Sequence, residues 1–288
     1  MSTSVKHHYI PKFFLDGFTN PEGVFYIYDK QVDRIKGKPF YPSSHFFQEN
    51  RNSIQQDGTL DDTPEQLYGF VENRDKAIVK LIQGCSGVPM LNTEQMVALQ
   101  HFLSNLFFRL PALDATFKRY MENAQFSSLL FKVLDKETGE SAPVEIIEKL
   151  RKDEGFQKMY RPAIGSLMLA KSRFLFDHQN WGFAFREDGM GLLSDNPLVF
   201  DDLKTLDFFE NSFVMPLSSR HKLVRVHKPI QNSFLTPQFS VLSEILMIHQ
   251  AKRYVCGPSK EFLSHVVDLS KKCSNEQARE LIFKEIKQ

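Results

Sequence analysis

Cysteine, tryptophan and long apolar runs are scarce in this sequence, and its charge leans to neither sign. Its 288 residues include three cysteines, Cys85, Cys256 and Cys273, widely spaced and without a CxxC pair. So sparse and odd a count excludes a disulfide scaffold and fits reduced structural thiols in a cytoplasmic protein. Lys and Arg number 36 against 35 Asp and Glu, a formal charge of +1. No global field therefore draws the chain to nucleic acid or an anionic membrane, although a local patch stays open. No uninterrupted apolar run approaches the ~18 residues of a membrane span, and the opening MSTSVKHHYIPKFF has no apolar signal region. A soluble intracellular protein with no membrane partner is expected. Signature loops are missing too: there is no Walker loop, no GxGxxG after a strand, no GxSxG elbow and no HExxH pair. The common nucleotide-binding, Rossmann, hydrolase and zincin readings go with them, while a noncanonical enzyme survives.

Against one tryptophan and eight tyrosines stand 27 phenylalanines, which fill a core without needing polar partners. Residues 1–60 are mixed and turn-rich. Pro11 can open a short helix carrying Phe13, Phe14 and Phe18. Asn20 to Gly23 reads as a turn, Val24 to Tyr28 as a buried strand, and Ile35 to Tyr41 as its hairpin partner across Asp29 to Arg34. From 63 to 178 the chain is expected to be helical. Thr63-Pro-Glu-Gln66 has capping-box spacing for a helix through Leu67, Phe70, Val71, Ile78 and Leu81 to Gly84. A second helix starts at Asn92 or Thr93, presents Met96, Leu99, Leu103, Leu106 and Leu110, and stops at Pro111. Further helices are expected to about Leu134, over 144–153 and over about 159–177, with a break at 136–143. Strands follow at 181–185, 191–193, 212–217 and 221–226, and helices at 238–252 and 259–286 with Gly257-Pro258 between them. The order β, long α, β, α predicts an α+β fold. It would be a mainly helical body with a small mixed or antiparallel sheet built from the N-terminal and 181–226 strands. No linker-like stretch divides the chain, so 1–288 is expected to form one integrated domain.

Three segments carry candidate chemistry. In the first, His7-His8-Tyr9-Ile10-Pro11, extended backbone sends adjacent side chains to opposite faces, so one histidine can serve a pocket while the other orients it. The bland alternative is a satisfied structural pair, but the aromatic run behind it argues against a loose tail. The second is Ser194-Asp195-Asn196-Pro197 at a predicted strand end. There Asp195 can bind a cation or hold a histidine tautomer, and Ser194 and Asn196 can bond a substrate; an Asx-type turn closed by proline is the competing reading. Pro216-Leu217-Ser218 is a weaker segment of the same kind. The third is a stripe of His101, Asn105 and Arg109, four residues apart on one helix and flanked by Phe102, Phe107 and Phe108. Arg109 suits a phosphate or carboxylate, and Glu72 on the preceding helix is a candidate acidic partner in the cleft this stripe would face. A solvated helix face is the alternative for this stripe, and a surface carboxylate for Glu72.

Together these segments resemble a large family of mostly bacterial proteins catalogued only as a domain of unknown function. Its members open with a pattern like HHYxPxFxLxxF, here His7 to Phe18. An acid on one helix and an Arg-x-Pro helix end correspond to Glu72 and to Arg109-Leu-Pro111. An SDNP strand end and a PLS segment correspond to Ser194 to Pro197 and Pro216 to Ser218. The resemblance implies a common site but no settled reaction, and an association with phage defence. HHxxP also looks like the opening of His-Asn-His nucleases, whose ββα unit would have only Asn20, His45 or Asn50 to draw on here. The expectation is a metal-assisted hydrolase, phosphodiesterase- or nuclease-like, with His7, His8 and Asp195 as catalytic groups. A divalent metal ion would sit on His8 and Asp195, and His101, Asn105, Arg109, Ser194 and Asn196 would hold a small-molecule or nucleic-acid substrate. The alternative is a non-catalytic ligand-binding or sensor component, with a possible partner protein, that uses a Phe-lined groove.

Overall fold

Helix boundaries follow the punctuation of the sequence closely. The computed structural model describes residues 5–56, 58–123, 133–171, 180–202, 208, 211–226 and 236–287. Pro11 precedes α1 (Lys12–Leu15), which buries Phe13, Phe14 and Leu15. Helix α2 (Thr63–Gln83) carries Pro64 in its first turn and is capped by Gly84. The expected capping box at Thr63 does not form, because the Thr63 backbone N–H and hydroxyl both donate to Asp61 Oδ1. Its buried face also differs from expectation: Phe70 is 75% exposed, while Tyr68, Asp75, Val79 and Ile82 face inward. Helix α3 (Thr93–Arg109) has a complete capping box, Asn92 and Gln95 exchanging bonds of 2.9 Å. Helices α4 (Asp114–Asn123), α5 (Val144–Lys152) and α6 (Glu154–Lys171) follow. The helical readings at 124–132 and 172–177 lie outside the described residues.

Short strands form the rest. Strand β1 (Lys6–His8) pairs antiparallel with β4 (Phe47–Glu49), His8 opposite Phe47. The expected hairpin appears as β2 (Tyr26–Asp29) and β3 (Arg34–Ile35). A second hairpin, β5 (Ile54–Gln56) and β6 (Thr59–Asp61), was not expected, since polar strands this short leave little alternation to read. Strands β7 (Trp181–Phe185), β8 (Leu193–Ser194), β9 (Val199–Phe200), β10 (Phe213–Pro216) and β11 (His221–Arg225) follow; β9 was not expected, and the other four fall close to the predicted runs. Helix α7 (Pro237–Gln250) leads into β12 (Tyr254–Gly257), and α8 (Lys260–Ser270) and α9 (Asn275–Lys287) end the described chain. Two expectations are corrected here. The segment before Gly257-Pro258 is a strand, not a helix connection, and the helix over 259–286 is broken after Ser270.

The fold is α+β, with antiparallel sheets among a larger helical content. One four-stranded sheet has the order β7-β11-β10-β9 and the other β3-β2-β12-β8. The N-terminal β2 thus pairs with β12, which in turn pairs with β8, rather than with the hairpin at 213–225. Alternation along the strands splits the core in two. Ile27, Leu193, Phe213, Met215, Leu223 and Cys256 face a phenylalanine-rich core with α1, α2, α3 and α6. Tyr28, Leu192, Val214, Val224 and Val255 face a second core closed by α7, α8 and α9. The sheets are therefore the middle layer. No helix among the described residues is long and apolar enough to cross a membrane.

Candidate functional site

Strand β1 sends its two histidines to different neighbours, as extended backbone requires. His7 is fully buried, and its Nδ1 accepts the Asn52 backbone N–H at 3.0 Å. The neutral ring then carries its proton on Nε2, which lies 4.0 Å from Asp62 Oδ1 and makes no hydrogen bond. His8 packs against the Phe47 ring, and its Nε2 is likewise buried without a partner. Burial first, then the positive charges of Lys12 and Arg109, lower the His8 pKa to about 4. His8 therefore belongs to the surroundings of Arg109.

The Ser194–Pro197 segment works differently from the expectation. The Asp195 carboxylate accepts three backbone N–H groups, from Lys252 at 2.8 Å, Arg253 at 2.7 Å and Tyr254 at 3.0 Å. Burial nevertheless raises its pKa, with those three bonds opposing. Ser194 Oγ points at Met247 Sδ, and Asn196 Nδ2 donates to the Gln250 carbonyl. The segment clasps the crossing from β8 to β9 onto the corner between α7 and β12. Among the described residues, no hydrogen bond or ion pair joins His8 to Asp195; the charge of Asp195 acts on Tyr9 instead. Nor do three or more His, Cys, Asp or Glu side chains gather there to hold a metal ion. The Asp195 carboxylate, expected to share a metal ion with His8, is thus engaged by three backbone donors.

The α3 stripe does converge. Arg109, 4% exposed, is ion-paired with Glu72 on α2, and its guanidinium lies 4.5 Å over the Tyr68 ring. Asn105 Nδ2 donates to Asp75 Oδ2 at 3.0 Å. His101 Nδ1 lies 3.0 Å from Asp75 Oδ1, and its Nε2 lies 2.6 Å from Ser166 Oγ on α6. Helix α6 comes this close because residue 165 is glycine: a Cβ there would stand 2.5 Å from Asn105 Oδ1 and 2.8 Å from its backbone nitrogen. Ser104 Oγ, donating to the Gly165 carbonyl at 2.8 Å, holds the two helices together.

Between α1, α2 and α3 lies a pocket of about 260 Å³, part of it open to solvent. Phe13, Tyr68 and Phe102 give it an aromatic wall; Glu72, Asp75, Asn105 and Arg109 give it a polar one. Tyr68 Oη and Arg109 Nε are both buried there without a hydrogen-bond partner. A family model described as "Protein of unknown function (DUF4238)" matches residues 6–261. The chain belongs to the DUF4238 family. The DUF4238 match takes in β1, the pocket, the α2–α3–α6 contacts and the Asp195 clasp. No curated protein and no solved structure matches the chain.

Three pocket or cluster residues escaped the sequence reading: Tyr68, Asp75 and Ser166. A signal existed for the first two. Tyr68, Glu72, Asp75, Val79 and Ile82 recur at alternating four- and three-residue intervals, the spacing of one helix face. Assigning that face to Leu67, Phe70 and Leu81 hid an acid inside an apolar stripe. Ser166 had no signal, since its partner lies 65 residues away.

Proposed function

We propose that the protein binds a small ligand bearing a carboxylate or phosphate group in the α1–α2–α3 pocket, as a binding or sensor component. The observation that carries this reading is the pair of buried polar atoms, Tyr68 Oη and Arg109 Nε, on the walls of one pocket without acceptors. A buried unsatisfied donor costs about 1–3 kcal/mol, a cost that a ligand oxygen removes. Glu72 supports the same chemistry. It is the internal carboxylate on Arg109, and at 29% exposure it can swing out as another anion takes its place. A metal-assisted nuclease built on Asp195 has less support, since that carboxylate serves the fold. Three free thiols suit a reducing, cytoplasmic setting, and a sensor of this kind suits a bacterial defence system.

Isothermal titration with inorganic phosphate and with acetate tests the reading and separates the two ligand sources. Tyr68→Phe is expected to melt higher than the wild type, because it removes an unsatisfied hydroxyl, yet to bind roughly 3- to 10-fold more weakly. Glu72→Gln is expected to bind more tightly, having lost the competing carboxylate. The reading fails if neither anion binds, or if Tyr68→Phe binds as well as the wild type.

A further inference from the structure

The α6 side of the same helix face carries a different chemistry. Asp75, 3% exposed, has one oxygen held by Asn105 Nδ2 and the other 3.0 Å from His101 Nδ1. The same Nδ1 also lies 2.7 Å from Asn105 Nδ2 and touches Arg74; a carboxylate only accepts, so in the tautomer with the ring proton on Nδ1 the ring donates to Asp75. That leaves Nε2 as an acceptor, 2.6 Å from the Ser166 hydroxyl. The order of atoms is serine Oγ, imidazole Nε2, imidazole Nδ1, carboxylate, with the carboxylate itself anchored by an amide. This is the arrangement in which a hydroxyl is activated as a nucleophile. His101 and Ser166 are only partly buried, so a substrate can reach the oxygen. Arg74, about half exposed, touches both the His101 ring and Asp75. It supplies a positive charge beside the imidazole, the kind of group that stabilises negative charge developing on a tetrahedral intermediate.

We infer that Ser166, His101 and Asp75 form a nucleophilic site for hydrolysing a small carboxylic ester. Ser166 Oγ attacks the carbonyl carbon while its proton passes to His101 Nε2. The ester C–O bond then breaks, and the departing alkoxide takes that proton, leaving an acyl-Ser166 ester. Water, deprotonated by His101, attacks this ester, and the acid leaves as the serine recovers its proton. Asp75 holds the ring tautomer throughout and is a positioning residue. The site shares Asp75 and Asn105 with the pocket but needs no anion on Arg109, so it stands independently of the binding proposal.

The test uses the full chain and a fluorophosphonate probe, with the modified residue located by mass spectrometry. Attack by Ser166 forms an O–P bond, expels fluoride and passes the proton to His101. The wild type is expected to be labelled at Ser166, and Ser166→Ala to lose the label while keeping its phosphate-binding behaviour. His101→Gln is expected to slow labelling roughly 100-fold or more. Should His101→Gln fail to fold, the wild-type rate replaces it: labelling must accelerate with rising pH as an imidazole loses its proton. Absence of label on Ser166, an unchanged rate in folded His101→Gln, or a flat pH profile overturns the inference.

Discussion

His8 and His45 are both held at a pKa of about 4, burial being the main cause in each. Lys12 and Arg109 add to it at His8, and Lys36 at His45, where Asp29 pulls the other way. In the unfolded chain both would take a proton near the ordinary histidine value of 6.5. Between pH 6.5 and 4 the unfolded state therefore binds more protons, and stability falls as pH drops through that window; above it the contribution is intact. Both histidines add to this loss through the linkage of protonation to folding. Asp195, whose carboxyl is raised by burial, acts in the opposite sense and offsets part of the loss. Urea midpoints are expected to fall steadily from pH 7 to pH 4.5, and His45→Gln to flatten part of the slope. A wild-type midpoint constant over that range would show that these imidazoles are not buried neutral. At this scale the sequence was a fair guide where chemistry is local. The opposed faces of His7 and His8, and Arg109 with Glu72, were both legible. The roles of Asp75 and Asp195 were not, because each is defined by groups at least 26 residues away.

At the scale of elements, the SDNP segment lies at a strand end as expected, and the sequence left a ligand-binding role and an Asx-type turn as competing readings of it. A short polar run before proline looks the same from sequence whether its acceptors face a substrate or a distant turn. Here they face the turn at Lys252 to Tyr254, whose three N–H groups converge on one carboxylate. Asp195→Ala leaves all three without acceptors where β8 meets β12. It is expected to destabilise the protein by about 3 kcal/mol or more, seen as a lower melting temperature. Affinity for phosphate or acetate at Arg109 should stay within twofold of the wild type, since no described contact links the two. A variant that melts normally but no longer binds would return Asp195 to the site. Strand β12 itself was missed for a related reason. Four residues between two strong helical patterns carry no alternation long enough to register, and only pairing with β2 and β8 makes them a strand.

The whole molecule is held together by its middle layer. Neighbouring residues on one strand belong to different cores, as with Val255 and Cys256 or Val214 and Phe213. Neither core can lose its sheet without exposing the other, which argues that 1–288 unfolds as one cooperative unit. Glu244 on α7 offers a way to test this from one side. Fully buried, it accepts from Lys222 at 2.6 Å, from Arg186 at 2.8 Å and from the Leu192 N–H at 2.9 Å. Glu244→Gln leaves the buried Lys222 without its counter-charge, while Arg186 keeps Asp188, and is expected to cost about 3 kcal/mol. The single tryptophan, Trp181, sits in the opposite, phenylalanine-rich core, so its fluorescence reports the side that the substitution does not touch. In a cooperative unit, Glu244→Gln shifts the urea midpoint of Trp181 fluorescence and that of far-ultraviolet circular dichroism by the same amount. Two separable units would instead leave the Trp181 transition in place while part of the helical signal melts early, because α7, α8 and α9 would come apart on their own.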